Sequence, residues 1–163
     1  MPTTEPGPGP ADPRRPAELA RLRMAGLVVQ PDSPLPEVLR ALCEIAADTL
    51  RVERVGVWLL TADRKALRCA TLFERSRREH SEGVTLRVGD APAYFGALED
   101  RRVLPIEMAQ TDPRTAELRD GYLVPLGITS MLDAPVLHNG KIAGVVCHEH
   151  VGPPREWTTE DRD

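Results

Sequence analysis

From Gly127 to Gly152 the chain reads GITSMLDAPVLHNGKIAGVVCHEHVG, two runs rich in Val, Ile, Leu and Ala on either side of His138-Asn139-Gly140-Lys141. Asn-Gly accepts positive φ at both positions, so the pattern predicts a β-hairpin with those two residues as its turn. With His138 facing Lys141 the register follows: Val136 opposite Ala143, Ala134 opposite Val145, Leu132 opposite Cys147 and Ser130 opposite Glu149. Side chains alternate across a sheet, so that row forms one face, small and apolar, suited to packing against helices. The other face then carries Thr129, Met131, Asp133 and Pro135 with Gly144, Val146, His148 and His150.

The rest of the chain supplies partners for this hairpin. Leu35, Val38, Leu39, Leu42, Ile45, Ala46 and Thr49 recur at three- and four-residue spacing, the stripe of an amphipathic helix. Ser33 suits its N-cap and Pro34 its first position. Arg54–Thr61 (RVGVWLLT) and Ala66–Phe73 (ALRCATLF) read as two strands joined by the polar turn Ala62–Lys65. Glu74–Gly83 reads as a charged loop, either a solvated connection or a clamp for an anion. Val84–Val88 and Arg102–Ile106 read as short strands, and Ala91–Asp100 as a helix. Asp112-Pro113 is a second helix start, with Asp as N-cap and Pro at the first position, and that helix is expected to run to about Leu123. Thr158 followed three residues later by Asp161 has the form of a capping box, so the sequence reads as reaching the start of a closing helix.

Ahead of these elements, Ala17–Leu27 is rich in helix formers and reads as a short helix, either a dimer contact or a solvated linker. Met1–Pro16 holds six prolines and two glycines and reads as a disordered tail.

Composition narrows the function classes. The length of 163 residues suits one domain plus a tail, and 41% hydrophobic with 28% charged residues is ordinary for a globular protein. A formal charge of −4 leaves no basic footprint for nucleic acid. No apolar run approaches the roughly 18 residues of a membrane span, and the N-terminus lacks the pattern of a secretory signal, so a cytoplasmic location is expected. Cys43, Cys69 and Cys147 have no CxxC spacing and sit in apolar-periodic segments, where cysteine behaves as a small buried hydrophobe.

The helix at Pro34–Leu50, then RVGVWLL, then DPRTAELRDGYLVPLGITSMLDAPV, then GKIAGVVCHEHVGPPREWTTED together resemble a GAF domain over about residues 33 to 163. The resemblance is to GAF domains placed ahead of bacterial sensor histidine kinases. It implies an α+β fold: a GAF-like antiparallel β-sheet with helices packed on one face and a ligand pocket over the other. It further implies a regulatory domain without catalytic residues, which senses a small molecule and relays its state to a C-terminal output domain, commonly as a homodimer. A ligand-free dimerisation relay and a GAF-fold free methionine sulfoxide reductase are the alternatives. The Asn-Lys, Phe, Asp-Glu signature of cyclic-nucleotide-binding GAF domains is not found here, and Cys147-His148 lies in the closing strand rather than where bilin-binding relatives attach their chromophore.

Candidate pocket residues are Met131, Asp133, His148 and His150, with Trp58 from the Arg54–Thr61 strand, where it alternates against Val57 and Leu59. In the predicted register Asp133 and His148 are diagonal neighbours within side-chain reach. A carboxylate can fix an imidazole tautomer and leave the other ring nitrogen for an organic ligand or a cation. Asp133 could equally be a buried acceptor satisfied within the fold. No cofactor or metal is identified by the sequence. Glu149 is expected either at the surface or paired with an arginine, and Trp157 as an anchor for the last loop.

Overall fold

The structure is a computed structural model and describes residues 15–28, 33–99 and 103–162. Residues 1–14 of the expected tail, 29–32 of the linker, 100–102 and 163 lie outside the described residues. The first helix, α1 (Arg15–Val28), extends the expected one at both ends, and α2 (Leu35–Leu50) starts one residue later than Ser33-Pro34 predicts. Arg51 ends α2 in the left-handed conformation, its N–H bonded to the Ala47 carbonyl.

The strands are β1 (Arg54–Leu60), β2 (Ala66–Glu74), β3 (Glu79–Ser81), β4 (Thr85–Arg87), β5 (Leu104–Ile106), β6 (Ile128–His138) and β7 (Lys141–Val151). They form a seven-stranded antiparallel sheet in the order β3-β2-β1-β7-β6-β5, with β4 also paired to β2. β3 falls inside the stretch expected to be a charged loop. Its His80 bonds Thr71 and Glu44 while Arg78 stacks on Phe73, so side-chain partners organise a segment whose sequence is polar throughout. Helix α3 (Pro92–Glu99) lies between β4 and β5, and α4 (Thr159–Arg162) follows the capping box, whose two bonds, Asp161 N–H to Thr158 Oγ1 and Thr158 N–H to Asp161 Oδ2, are both made.

The second expected helix forms differently. Asp112 caps it by accepting from the Arg114 N–H at 2.9 Å, but Pro113–Leu118 is a 3₁₀ turn and Arg119–Leu123 a single π turn. Gly121 weakens helix propagation there, and Pro125 follows closely. The outcome is a compact cover rather than a regular rod.

The sheet has two dissimilar faces. Against α2 lie Val55, Val57, Phe73 and Leu132, packed with Cys43, Ala46, Ala47 and Trp157. The opposite face carries Trp58, Cys69, Leu72, Met131, Val145 and Cys147, covered by Tyr94 and Leu98 of α3 and by Leu118 and Leu123 of the cover.

The hairpin turn is as predicted, with Asn139 and Gly140 at φ of 51° and 74° and His138 opposite Lys141. Beyond it the expected register fails. Leu137 pairs with Ile142, but Val136 pairs with Gly144, leaving Ala143 as an extra residue on β7. This bulge shifts every deeper pair by one, so Asp133 stands opposite Cys147, Leu132 opposite His148 and Ser130 opposite His150. A one-residue slip exchanges faces. His148 and His150 therefore lie on the α2 face, and the expected neighbourhood of Asp133 and His148 does not exist. Gly144 marks the spot: a Cβ there would come within 2.2 Å of the Trp58 carbonyl oxygen, so only glycine lets β7 approach β1 this closely.

Candidate ligand cavity

Between the sheet and its cover lies a cavity of about 250 Å³. Trp58, Leu67, Met131, Val145, Cys147 and Glu149 line it from the sheet. Val84, Thr85 and Leu86 around β4, Tyr94 of α3, and Glu117, Leu118, Gly121 and Tyr122 of the cover complete the wall. Alternation along β1 and β7 places Trp58, Val145, Cys147 and Glu149 together, since Trp58 pairs with Val145, and the next same-face pairs are Gly56 with Cys147 and Arg54 with Glu149.

Two buried polar networks border this space. Arg54 Nε is 2.8 Å from Glu149 Oε2, and its Nη1 is 2.6 Å from Glu74 Oε1. Tyr122 donates its hydroxyl to Glu149 Oε1 at 2.7 Å, tying the cover to β7. Glu149 is buried, which pushes its carboxyl up despite the opposing pull of Arg54 and Tyr122. Burial works against the charge on Arg54, but Glu149 more than offsets it and the guanidinium is held more firmly protonated.

In the second network Tyr94 donates to Asp133 Oδ2 at 2.5 Å and lies 3.7 Å from Cys147 Sγ. Burial raises the Asp133 carboxyl to about 7, against the lowering effect of the Tyr94 bond. Its Oδ1 has no partner among the described residues. At the edge of the cover Glu117 accepts from the Ala93 N–H at 3.2 Å, in the first turn of α3.

The predicted pocket residues separate. Met131 and Trp58 line the cavity, and Asp133 is on the same face, bonded to the lining residue Tyr94. His148 and His150 are across the sheet and engage backbone: His148 Nδ1–H donates to the Leu132 carbonyl at 2.6 Å, and His150 Nε2–H to that of Pro153 at 3.0 Å. An Asp133, His148 and His150 cation site is thereby ruled out by geometry. Burial also pulls both imidazoles below their usual range, so they are held neutral on those carbonyls.

Sequence reading overlooked Tyr94, Tyr122 and Arg54. Arg54, the one charge in the otherwise apolar β1, and Glu149 on β7 were the available signal, because opposite charges inside a sheet need each other. Glu149 does take an arginine partner and is buried rather than at the surface. Trp157 packs into the α2 core under the Arg155 guanidinium, 4.5 Å from its ring.

The GAF-domain profile matches residues 34–163. The chain belongs to the GAF family. Among solved structures this GAF domain is similar to the phycoerythrobilin-bound GAF domain of a cyanobacterial phytochrome, at 16% identity and a TM-score of 0.73, covering 90% of this chain and 87% of that one. It is similar also to the GAF domain of an Acinetobacter phosphoenolpyruvate-protein phosphotransferase, at 15% identity and a TM-score of 0.66, covering 89% and 82%. The chromophore-binding domain of Stigmatella aurantiaca phytochrome P1 matches at 14% identity and a TM-score of 0.70, covering 96% of this chain and 58% of that one. At such identities the likeness carries the fold alone. No curated protein matches the chain. No helix among the described residues is long and apolar enough to cross a membrane.

Proposed function

We propose that this GAF domain is a cytoplasmic sensory module that binds a small molecule in the cavity under Tyr122 and relays its state to a C-terminal output domain, foremost a histidine kinase. The observation that carries the reading is the Tyr122–Glu149 bond. It joins the cover to the sheet beside the cavity, so an occupant that displaces or tightens Tyr122 changes how the cover sits on β7. The module is non-enzymatic in this reading and works as a homodimer, because kinases of that class act in paired subunits.

Similar structures include GAF domains bound to phycocyanobilin and phycoerythrobilin. Here a cavity of about 250 Å³ favours a ligand smaller than such four-ring chromophores. The reductase alternative lacks support as well. Burial pushes the thiols of Cys43 and Cys69 up to about 12 and about 11 and that of Cys147 well above its usual value, so none is poised as a thiolate.

The test is mass spectrometry of the purified protein under native and then denaturing conditions, with an absorption spectrum on the same sample. A mass excess lost on denaturation, and absent from a cooperatively melting Val145→Phe variant that fills the cavity, is the expected result. Bare mass in the native chain, with no change of melting temperature on addition of a cell-extract metabolite fraction, points instead to a ligand-free relay.

A further inference from the structure

Charge, hydrogen-bond accounting and size together narrow what the cavity can hold. Two carboxylates, Glu117 and Glu149, stand in its wall, and no Lys, Arg or His does among the described lining residues. A phosphate or carboxylate entering this space would lose its hydration and meet like charge without a counterion. A cation fares little better. Glu149 already holds Arg54 at 2.8 Å and the Tyr122 hydroxyl at 2.7 Å, and Glu117 is exposed, where water and salt screen it.

Binding pockets ordinarily keep a few polar groups free to orient what they hold. Here the polar side chains of the wall are occupied within the fold, buried against the sheet or exposed to solvent. Tyr94 gives its proton to Asp133 and Tyr122 to Glu149, and the Cys147 thiol lies 3.7 Å from the Tyr94 hydroxyl. Trp58 Nε1 is buried over Gly56, where a Cβ would come within 2.8 Å of it, and offers the cavity no accessible donor. Thr85, on β4, is exposed. A carbonyl taken up in this space would give up water for no partner.

What remains is apolar surface. Leu67, Leu118, Met131 and Val145 are buried in the wall, and Trp58 and Tyr122 add aromatic bulk. Apolar burial is non-directional, so such a wall selects by size and by the absence of polar groups. An apolar cavity of about 150 Å³ takes benzene, so about 250 Å³ suits one alkyl-substituted ring.

We infer that the ligand is a small uncharged apolar molecule, of about the bulk of a substituted benzene, held by burial and shape with no hydrogen bond to the wall. This rests on the reading of the cavity as a small-molecule site and specifies the class of what enters it. Glu149 and Asp133 stay with their protein partners, and the ligand is selected by the exclusion of charge and of unpaired acceptors.

Four probes of one shape class test the assignment on the intact chain: α-methylstyrene, acetophenone, in which a carbonyl oxygen replaces the CH₂, benzoate and benzylammonium. Binding is read by titration of two methyl resonances, that of Met131 in the wall and that of Met108, which is 53% exposed. The expected result is a saturable shift of Met131 and not of Met108, with α-methylstyrene about tenfold tighter than acetophenone and no saturation by either ion over the same range. Val145→Phe, which fills the cavity, is expected to abolish the Met131 response. Should that variant unfold, nuclear Overhauser contacts between α-methylstyrene and the Met131 methyl in the native chain place the probe, and their absence overturns the assignment. Acetophenone binding as tightly as α-methylstyrene would reveal a donor in the wall and overturn the apolar class; tighter binding of benzoate or benzylammonium overturns the uncharged class. Both results leave a small-molecule site. No Met131 response to any probe at millimolar concentration, or a response of Met108 alone, overturns the small-molecule reading itself.

Discussion

Tyr94 donates its hydroxyl to Oδ2 of Asp133 at 2.5 Å, and both residues are buried between α3 and the sheet. The bond joins α3 to β6, and Cys147 Sγ lies 3.7 Å from the same Tyr94 hydroxyl. Tyr94→Phe leaves both carboxylate oxygens without a hydroxyl donor. A loss of about 1–3 kcal/mol in urea denaturation is expected, larger at pH 8 than at pH 5 because the unpartnered group is then more often ionised. An equal loss at both values would mean that Asp133 does not change its protonation between them.

The raised Asp133 carboxyl also predicts the sign of a pH dependence. Its folded value of about 7 lies above the ordinary 3.8, so between these values the folded chain holds a proton that the unfolded chain has released. Stability from this group is fully present below about pH 4, falls as pH rises, and levels above about pH 7, a change of roughly 2–4 kcal/mol. His148, pulled below its usual range, contributes with the opposite sign, since its neutral burial favours folding at higher pH. The difference between wild type and Asp133→Asn isolates the first effect: the variant is expected to lose the decline between pH 4 and 7. A wild-type and a variant profile that run parallel would refute it.

The Arg54 and Glu149 pair predicts an asymmetry. Arg54→Met leaves the buried Glu149 carboxylate with Tyr122 as its remaining partner, and a loss of about 3–5 kcal/mol is expected. Tyr122→Phe removes one neutral donor and is expected to cost about 1 kcal/mol while accelerating ligand exchange, because it frees the cover and not the sheet. Denaturant midpoints compare the two; a Tyr122 variant as unstable as the Arg54 variant would place that network in the core of the fold rather than in the cover.

How far the sequence shows this arrangement depends on which physical signal is read. The hairpin, the α2 stripe, the Asp112 cap and the capping box at Thr158 and Asp161 are local patterns, and each appears where its residues predict. The faces of the hairpin are not local. Period-two alternation carries Asp133 and His148 to one side until a single unpaired residue, Ala143, intervenes, and then to opposite sides. Gly144 beside it is the sequence trace of that bulge, a glycine in an otherwise β-branched run where two backbones meet. Tyr94 and Tyr122 were invisible for a different reason. They reach the sheet from segments whose docking depends on tertiary contacts, so no spacing along the chain links them to Asp133 or Glu149.

Gly56 is the residue through which the cavity can be altered without touching its wall. A Cβ at this position would come within 2.8 Å of Trp58 Nε1 and 2.9 Å of Leu72 Cδ1. Both are side-chain atoms, so Gly56→Ala is expected to fold, to lose about 1–3 kcal/mol, and to displace the indole toward the cavity. A changed Trp58 fluorescence maximum is the readout. Unchanged emission would mean that the indole has another way to relax.

The bulge itself gives the sharpest test of the hairpin. Lys141 opposite His138 and Ile142 opposite Leu137 form a regular two-residue hairpin, and Gly144 opposite Val136 resumes that regular spacing once Ala143 is passed. Deleting Ala143 therefore leaves the deeper register intact: Asp133 still faces Cys147, and Met131 still faces Glu149. Deleting Val146 instead shifts the segment below it, forcing Cys147 and Glu149 out of register with β1 and parting Glu149 from Arg54. The Ala143 deletion is expected to melt cooperatively within a few degrees of the native chain and to keep its cavity, since the deleted residue lies near the exposed turn. The Val146 deletion is expected to unfold, because a one-residue slip would turn the Glu149 carboxylate into the α2 core without its arginine. Similar melting temperatures for the two deletions would show that the bulge does not set the faces of the sheet.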